Sequence, residues 1–108
     1  MSRASAGDRL ARALCAAFGG FDVVAHSEML ANRSWTGITF SGERHALRLT
    51  IDGEEAGAAA DAFLAGLTET EFALPGHYIV DIGAVSDERD ADAKRVLLGI
   101  EAVTVEAG

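Results

Sequence analysis

His77 and Asp81 are the two residues whose types and spacing most directly suggest acid–base chemistry. His77 follows the Pro75-Gly76 turn, and Asp81 lies in an apolar stretch between Val80 and Ile82. A carboxylate in such surroundings needs a partner, because burying an unpaired charge is costly. A histidine or arginine from a neighbouring strand would supply one, and such a pair can transfer protons. A structural ion pair, or an exposed Asp81 on a strand edge, explains the same pattern.

A third catalytic candidate is His26, which shares a strand face with Glu28 because the two residues are two apart. With His45 or His77 nearby, two histidines and a carboxylate could bind a metal ion. The histidines follow no metal-ligand spacing, however, so we expect no metal site. The single Cys15 has no neighbouring base, and the chain has neither a nucleophile-elbow motif nor a phosphate-binding glycine motif. The sequence therefore predicts no cofactor.

Trp35 belongs to the one mildly basic, aromatic region of the chain, together with Arg33, Arg44 and Arg48. Such a region could stack a base or bind an acidic peptide. Packing of Trp35 on a sheet face or in a subunit interface is the expected alternative, since tryptophan is enriched at interfaces. We take Trp35, Arg44, Arg48 and Tyr78 as the candidate binding residues.

Charge and composition exclude several classes of partner. The net charge is −8, and it is uneven: residues 1–50 have a net charge of +2 and residues 51–108 have −10. An acidic surface repels phosphate backbones, so we expect no nucleic-acid binding. Neither a membrane span nor a signal peptide is predicted, and a single cysteine suits a reducing compartment, so we expect a cytoplasmic protein. The 21 alanines, with eight arginines against one lysine, suggest a GC-rich bacterial genome.

The first helix is predicted from Asp8 to Phe18. Asp8 is a suitable N-cap, and Leu10, Leu14 and Phe18 repeat every four residues to form one apolar stripe. Gly19-Gly20 should end this helix.

Three strands are then predicted from a change of period toward two. They cover Phe21–Ala31, Trp35–Ser41 and Arg44–Ile51, with turns at Asn32-Arg33-Ser34 and Gly42-Glu43. The third strand alternates most clearly, with one face made of His45, Leu47, Leu49 and Ile51. One buried face and one wet face are typical of an antiparallel sheet.

A second helix is predicted to begin at Asp52, which stands at capping-box spacing from Glu55. Its buried stripe should consist of Ala56, Ala60, Phe63, Leu64 and Leu67. After it, the pattern predicts a type II turn at residues 74–77, a strand over Tyr78–Val85, a charged loop over Ser86–Ala93 and a last strand over about Lys94–Val105, in which Gly99 marks a bulge or bend.

These elements predict one α+β domain over residues 1–108, with residues 1–6 disordered. The order is α-β-β-β-α-β-β, with two helices on a single antiparallel, possibly mixed, sheet of about five strands. This order is similar to that of the type III secretion chaperones, which are small, acidic, dimeric proteins that hold an unfolded segment of a secreted partner. Two functional hypotheses follow. One is a non-enzymatic, chaperone-like interaction module that forms a homodimer or binds another protein or peptide. The other is a small enzyme with a His/Asp acid–base site at a subunit interface.

Overall fold

The computed structural model describes residues 5–107. Within these residues the chain forms two helices and four strands: α1 (Ala6–Ala16), β1 (Val24–Thr36), β2 (Ser41–Asp52), α2 (Ala56–Gly66), β3 (His77–Arg89) and β4 (Arg95–Glu106). The α+β class and the antiparallel sheet with two helices are confirmed. The prediction of about five strands is wrong, because the observed order is α-β-β-α-β-β.

The sheet has the strand order β1-β2-β4-β3, and every neighbouring pair is antiparallel. The central strands β2 and β4 alternate between buried and more exposed residues. The buried residues of one face are His45, Leu47, Leu49 and Ile51 in β2, as predicted, and Val96, Leu98, Ile100, Ala102 and Thr104 in β4. Both helices pack on this one face, with α1 against β1 and β2, and α2 against β4 and β2.

The error in strand number arises in β1. The predicted turn at Asn32-Arg33-Ser34 is part of one continuous strand, and Arg33 pairs with Arg44 of β2. The predicted turn at Gly42-Glu43 also lies inside a strand, β2. The actual connection is residues 37–40, closed by a 2.7 Å hydrogen bond from the amide of Gly37 to the carbonyl of Phe40. Polar residues in β1 reflect its exposed position at the sheet edge, where a polar composition does not signal a turn.

The helix α1 begins two residues earlier than predicted. Ser5, and not Asp8, is its N-cap; Asp8 is the third helical residue, and the two side chains form a reciprocal capping box. The expected disorder of residues 1–6 concerns residues 1–4, which lie outside the described residues, and Ser5 and Ala6, which the structure places at this helix start. The predicted stripe of Leu10, Leu14 and Phe18 is buried.

The helix α2 also starts elsewhere than predicted. Asp52 is the last residue of β2, and the N-cap, Glu55, makes no side-chain capping bond. Of the predicted buried stripe, Ala56, Ala60, Phe63 and Leu67 are buried, and Leu64 is partly buried and packs against the core. Phe63 of α2 stacks on Phe18, two residues after the end of α1, with ring centroids 4.8 Å apart, and this contact links the two helical segments above the sheet.

The turn that leads into β3 has the predicted type II form. The amide of His77 donates to the carbonyl of Leu74 at 2.9 Å, and Gly76 has a φ of +82°, a conformation that favours glycine. Strand β3 then continues to Arg89 through much of the predicted charged loop. Opposite Gly99, an extra residue in β3 shifts the register between Ala84 and Ser86, so the predicted irregularity lies on the partner strand.

None of the helices within residues 5–107 is long and apolar enough to cross a membrane.

Candidate functional site

One face of the sheet is left without a cover in the described part of the chain. We call it the uncovered face; it comprises Gly42, Arg44, Ala46, Arg48, Thr50 and Asp52 of β2 and the residues of β1, β4 and β3 that lie in register with them. Within residues 5–107, none of these residues belongs to the buried apolar core or packs against it. The four candidate binding residues Trp35, Arg44, Arg48 and Tyr78 all lie on this face. The helices cannot shield them, because both pack on the other side.

The strand register places Trp35 and Tyr78 in the same row across the uncovered face. Trp35 pairs with Gly42, Gly42 with Val105, and Val105 with Tyr78. The two aromatic side chains stand on opposite edge strands, about 14 Å apart at the spacing of strands in a sheet. Tyr78 is 65% exposed. Gly42 and Val105 lie between them, so this row is apolar and has an aromatic residue at each end.

The tryptophan lies directly over the glycine that faces it. A β-carbon at Gly42 would come within 3.0 Å of Cζ2 of Trp35 and would overlap the carbonyl oxygen of Thr104. The absence of a side chain at Gly42 is therefore what lets the indole lie against the sheet. The indole Nε1 is buried and has no hydrogen-bond partner within the described residues.

The next row contains Arg33, Arg44, Val103 and Asp81 in that order. Arg33 and Arg44 stand directly opposite each other, although like charges at paired positions repel. Neither guanidinium forms an ion pair within residues 5–107. Two arginines and one aspartate thus lie next to the row of Trp35 and Tyr78, which we call the aromatic row. They do not neutralise one another, because Asp81 lies on the far edge of the sheet.

Two ion pairs on the uncovered face are complete within the chain. Arg48 contacts Glu28 at 3.2 Å, and Arg95 contacts Asp52 at 2.6 Å. The hydrogen bond to Asp52 raises the pKa of Arg95 above its usual value. Exposed pairs of this kind contribute little to stability, because solvent and salt screen the attraction between their charges. Arg48 is therefore already paired with Glu28, whereas Arg44 forms no ion pair within residues 5–107.

The catalytic candidates His77 and Asp81 do not form a pair. Strand β3 does begin at His77, but Val80 is an extra residue in the ladder, since Ile79 pairs with Thr104 and Asp81 with Val103. This bulge turns Asp81 to the uncovered face, where it is exposed, while His77 stays on the covered side. The hypothesis of a buried, paired Asp81 is wrong. His77 instead has Nδ1 3.3 Å from the carbonyl oxygen of Pro75.

The third catalytic candidate, His26, lies on the other edge strand. It pairs with Thr50 on the uncovered face and is exposed. Three strand spacings, about 14 Å, separate β1 from β3, so His26 cannot reach Asp81 or His77. Within residues 5–107, no three His, Cys, Asp or Glu side chains are grouped as metal ligands would be.

His45 is the one histidine in the core, where it lies on the apolar face of its strand, as the alternation predicts. Its side chain is fully buried, and Nε2 lies 2.9 Å from Oγ1 of Thr104. Burial lowers the pKa of the His45 imidazole; Glu43, whose carboxylate lies 3.9 Å away, opposes that effect, and His77 adds to it. The imidazole is shielded from solvent, so its role is structural.

A cleft of about 880 Å³ runs between β3 and the segment 68–75. It is lined by apolar residues, among them Phe72, Leu74 and Ile79, and by the carboxylates of Glu69, Glu71 and Asp81. Within residues 5–107, strand β3 is an edge strand that pairs only with β4, so one side of its backbone has no strand partner there along this cleft. No sequence pattern predicts this cleft, because the segment that forms it has no hydrophobic periodicity.

Sequence reasoning also missed Glu88 and Glu101 of the uncovered face. They pair with Leu97 and Gly83 in the register, which places both on that side of the sheet. Glu88 falls in the predicted loop over residues 86–93 and Glu101 inside the predicted last strand, and neither position by itself shows which face of the sheet the charge will occupy. Only the pairing with β4 reveals that they share a face with Asp81.

Comparison with known proteins does not extend these observations. No family model matches the chain, and no curated protein is detectably similar to it. The similarity to type III secretion chaperones rested on an element order with three strands before the second helix, whereas the structure has two.

Proposed function

We propose that this chain is a non-enzymatic protein-interaction module that works as a homodimer. The observation that carries the proposal is the position of the four candidate binding residues, Trp35, Arg44, Arg48 and Tyr78, on one uncovered sheet face. Aromatic residues and arginine are the types that dominate protein–protein interfaces. The end of the sheet that carries Trp35 and Tyr78 also has an exposed hairpin tip with Ile38 and Phe40, which are 107% and 60% exposed.

The alternative of a small enzyme has less support. Acid–base catalysis by His77 and Asp81 would require both groups to reach one substrate atom. They point to opposite faces of β3, and they are four residues apart, which is about 13 Å along a strand.

A chaperone-like role is supported by the cleft beside β3. Its free strand edge can pair with an extended segment of another protein, while the apolar lining takes alternate side chains. Val80 and Val85 of this edge strand are 59% and 62% exposed. We place this activity in the cytoplasm, because the only cysteine, Cys15, is free and a reducing compartment suits it.

Sedimentation velocity over a wide range of concentrations tests the proposed homodimer. The wild-type chain should sediment as a dimer, and Tyr78→Glu should weaken the dimer because it places a charge in the aromatic row. Ala58→Glu, at an exposed position of α2 on the other side of the molecule, is the matched control and should leave the dimer unchanged. A wild-type chain that remains monomeric at every concentration would contradict the proposal.

Light scattering tests the chaperone-like role separately. The wild-type chain should slow the aggregation of a reduced, unfolded test protein, and Val80→Lys should reduce this effect, because lysine on an edge strand blocks further strand pairing. Equal suppression by the variant and the wild-type chain would assign any holding activity to another surface.

A further inference from the structure

The free charges of the uncovered face are divided by sign along the strand order. Arg33 and Arg44, on β1 and β2, have no ion-pair partner within residues 5–107, and the same is true of Asp81, Glu88 and Glu101 on β3 and β4. The remaining charged pairs on this face, Glu28–Arg48 and Asp52–Arg95, neutralise each other. One half of the face is therefore basic and the other half acidic.

We infer that a second copy of this chain covers the face in a two-fold symmetric dimer whose axis runs parallel to the strands. This inference rests on the proposed homodimer and specifies its geometry. A two-fold rotation about such an axis reverses the strand order but leaves each row at the same position along the strands. It places β1 over the partner's β3 and β2 over the partner's β4, so the basic half of each copy meets the acidic half of the other.

The aromatic row is self-complementary under this operation. Trp35 faces the partner's Tyr78, and Tyr78 faces the partner's Trp35. The indole of Trp35 lies over Gly42 and is partly exposed, so its outer surface can meet the ring of the partner's Tyr78. Offset or edge-to-face contacts between aromatic rings stabilise an interface beyond their buried area.

The charged row is self-complementary in the same way. Arg33 faces the partner's Asp81, and Arg44 faces the partner's Val103, with the partner's Glu101 one row away. The strands of two packed sheets cross at about 30°. This crossing angle shifts facing residues by about one strand spacing, and an arginine side chain is long enough to bridge that shift. Each dimer thus contains two copies of an arginine–carboxylate contact that a single chain leaves unformed.

The other two-fold arrangement is disfavoured by charge. An axis perpendicular to the strands would stack β1 on the partner's β1 and reverse the order of the rows. Asp81 would then face the partner's Glu88, and Arg33 would face the partner's His26. Opposed like charges oppose association, so the axis parallel to the strands is preferred.

The size of the uncovered face suits a stable dimer. Four strands of about 12 residues span about 19 Å by 40 Å, which is about 800 Å² per copy and about 1,600 Å² in total. This is the size of a standard specific interface.

A charge-swap experiment tests the pairing of Arg33 with the partner's Asp81. Arg33→Asp alone and Asp81→Arg alone should each raise the dimer dissociation constant by about tenfold or more, because both contacts then oppose like charges. An equimolar mixture of the two variants should form a heterodimer, in which one original and one reversed pair are restored. Native mass spectrometry separates the two masses and identifies the mixed species. Arg12→Asp on α1 and Asp92→Arg in the β3–β4 turn make the same changes of net charge away from the face and should not affect dimerisation.

The outcomes separate this inference from the proposed function. A monomeric wild-type chain would overturn both. A wild-type dimer that tolerates both single variants would overturn the face-to-face geometry while leaving the homodimer intact. Variants that weaken the dimer without recovering in the mixture would overturn the pairing of residues 33 and 81. Both positions are exposed and make no ion pair within the described chain, so circular dichroism melts should show that the single variants still fold.

Discussion

The imidazole Nε2 of His45 lies 2.9 Å from the hydroxyl Oγ1 of Thr104, and both side chains belong to the otherwise apolar face of the sheet. The other ring nitrogen, Nδ1, is buried without a partner within the described residues. Protonation would place a charge in this apolar setting and leave a donor unsatisfied. The pair therefore stabilises the fold most while His45 is neutral, and the nearby carboxylate of Glu43 offsets part of the cost of protonation.

Stability should accordingly depend on pH through His45. Its pKa is lowered in the folded chain, mainly by burial, so near pH 6.5 the unfolded chain binds more protons than the folded one. The free energy of unfolding is then highest above this pH and decreases as the pH falls through it. Urea unfolding between pH 8 and pH 5.5, at one protein concentration, measures this slope. His45→Gln should flatten it, and equal slopes in the wild-type chain and the variant would contradict the assignment.

Thr104→Val should destabilise the fold by about 1–3 kcal/mol, because the variant keeps the shape of the side chain but leaves Nε2 of His45 without a partner. Thr39→Val, in the exposed β1–β2 connection, should change stability by less than about 0.5 kcal/mol. Chemical denaturation followed by circular dichroism compares the two variants. A neutral Thr104→Val would mean that the hydroxyl does not satisfy the imidazole.

Ser5→Ala should lower stability by about 1 kcal/mol, since the hydroxyl of Ser5 accepts the amide of Asp8 at 3.1 Å and closes the capping box of α1. Ser34→Ala, at an exposed position of β1, serves as its control and should be close to neutral. Thermal melts of both variants provide the comparison. An identical loss in both would show that the cap adds nothing specific.

Gly42→Ala should be more damaging than Gly83→Ala, although both glycines lie on the uncovered face. A β-carbon at Gly42 would overlap the Thr104 carbonyl oxygen and press on Trp35, which predicts a loss of about 1–3 kcal/mol. At Gly83 no atom lies within 4 Å of the added carbon, and replacing a strand glycine should be neutral or slightly stabilising. The unfolding midpoints of the two variants test this prediction. A Gly42→Ala variant that is more stable than Gly83→Ala would contradict the close approach of the indole to Gly42.

Local patterns in the sequence were enough to predict the covered side of the sheet. The alternation of Leu47, Leu49 and Ile51, the helical stripe of α1 and the Pro75-Gly76 turn each depend on neighbours within a few residues, and all three are observed. The choice of Trp35 and Tyr78 as candidate binding residues also came from residue types alone, and it stays a prediction.

Tertiary structure decided which of these residues meet. The single extra residue Val80 separates His77 from Asp81, because one inserted residue reverses the faces of all that follow in a strand with a two-residue period. The common row of Trp35 and Tyr78 depends on three strand pairings between segments far apart in the chain. Such pairings are set by the packing of the whole sheet, and no local pattern encodes them. The sequence therefore determined the residue types available for binding, and the register of the four strands determined the surface that they form.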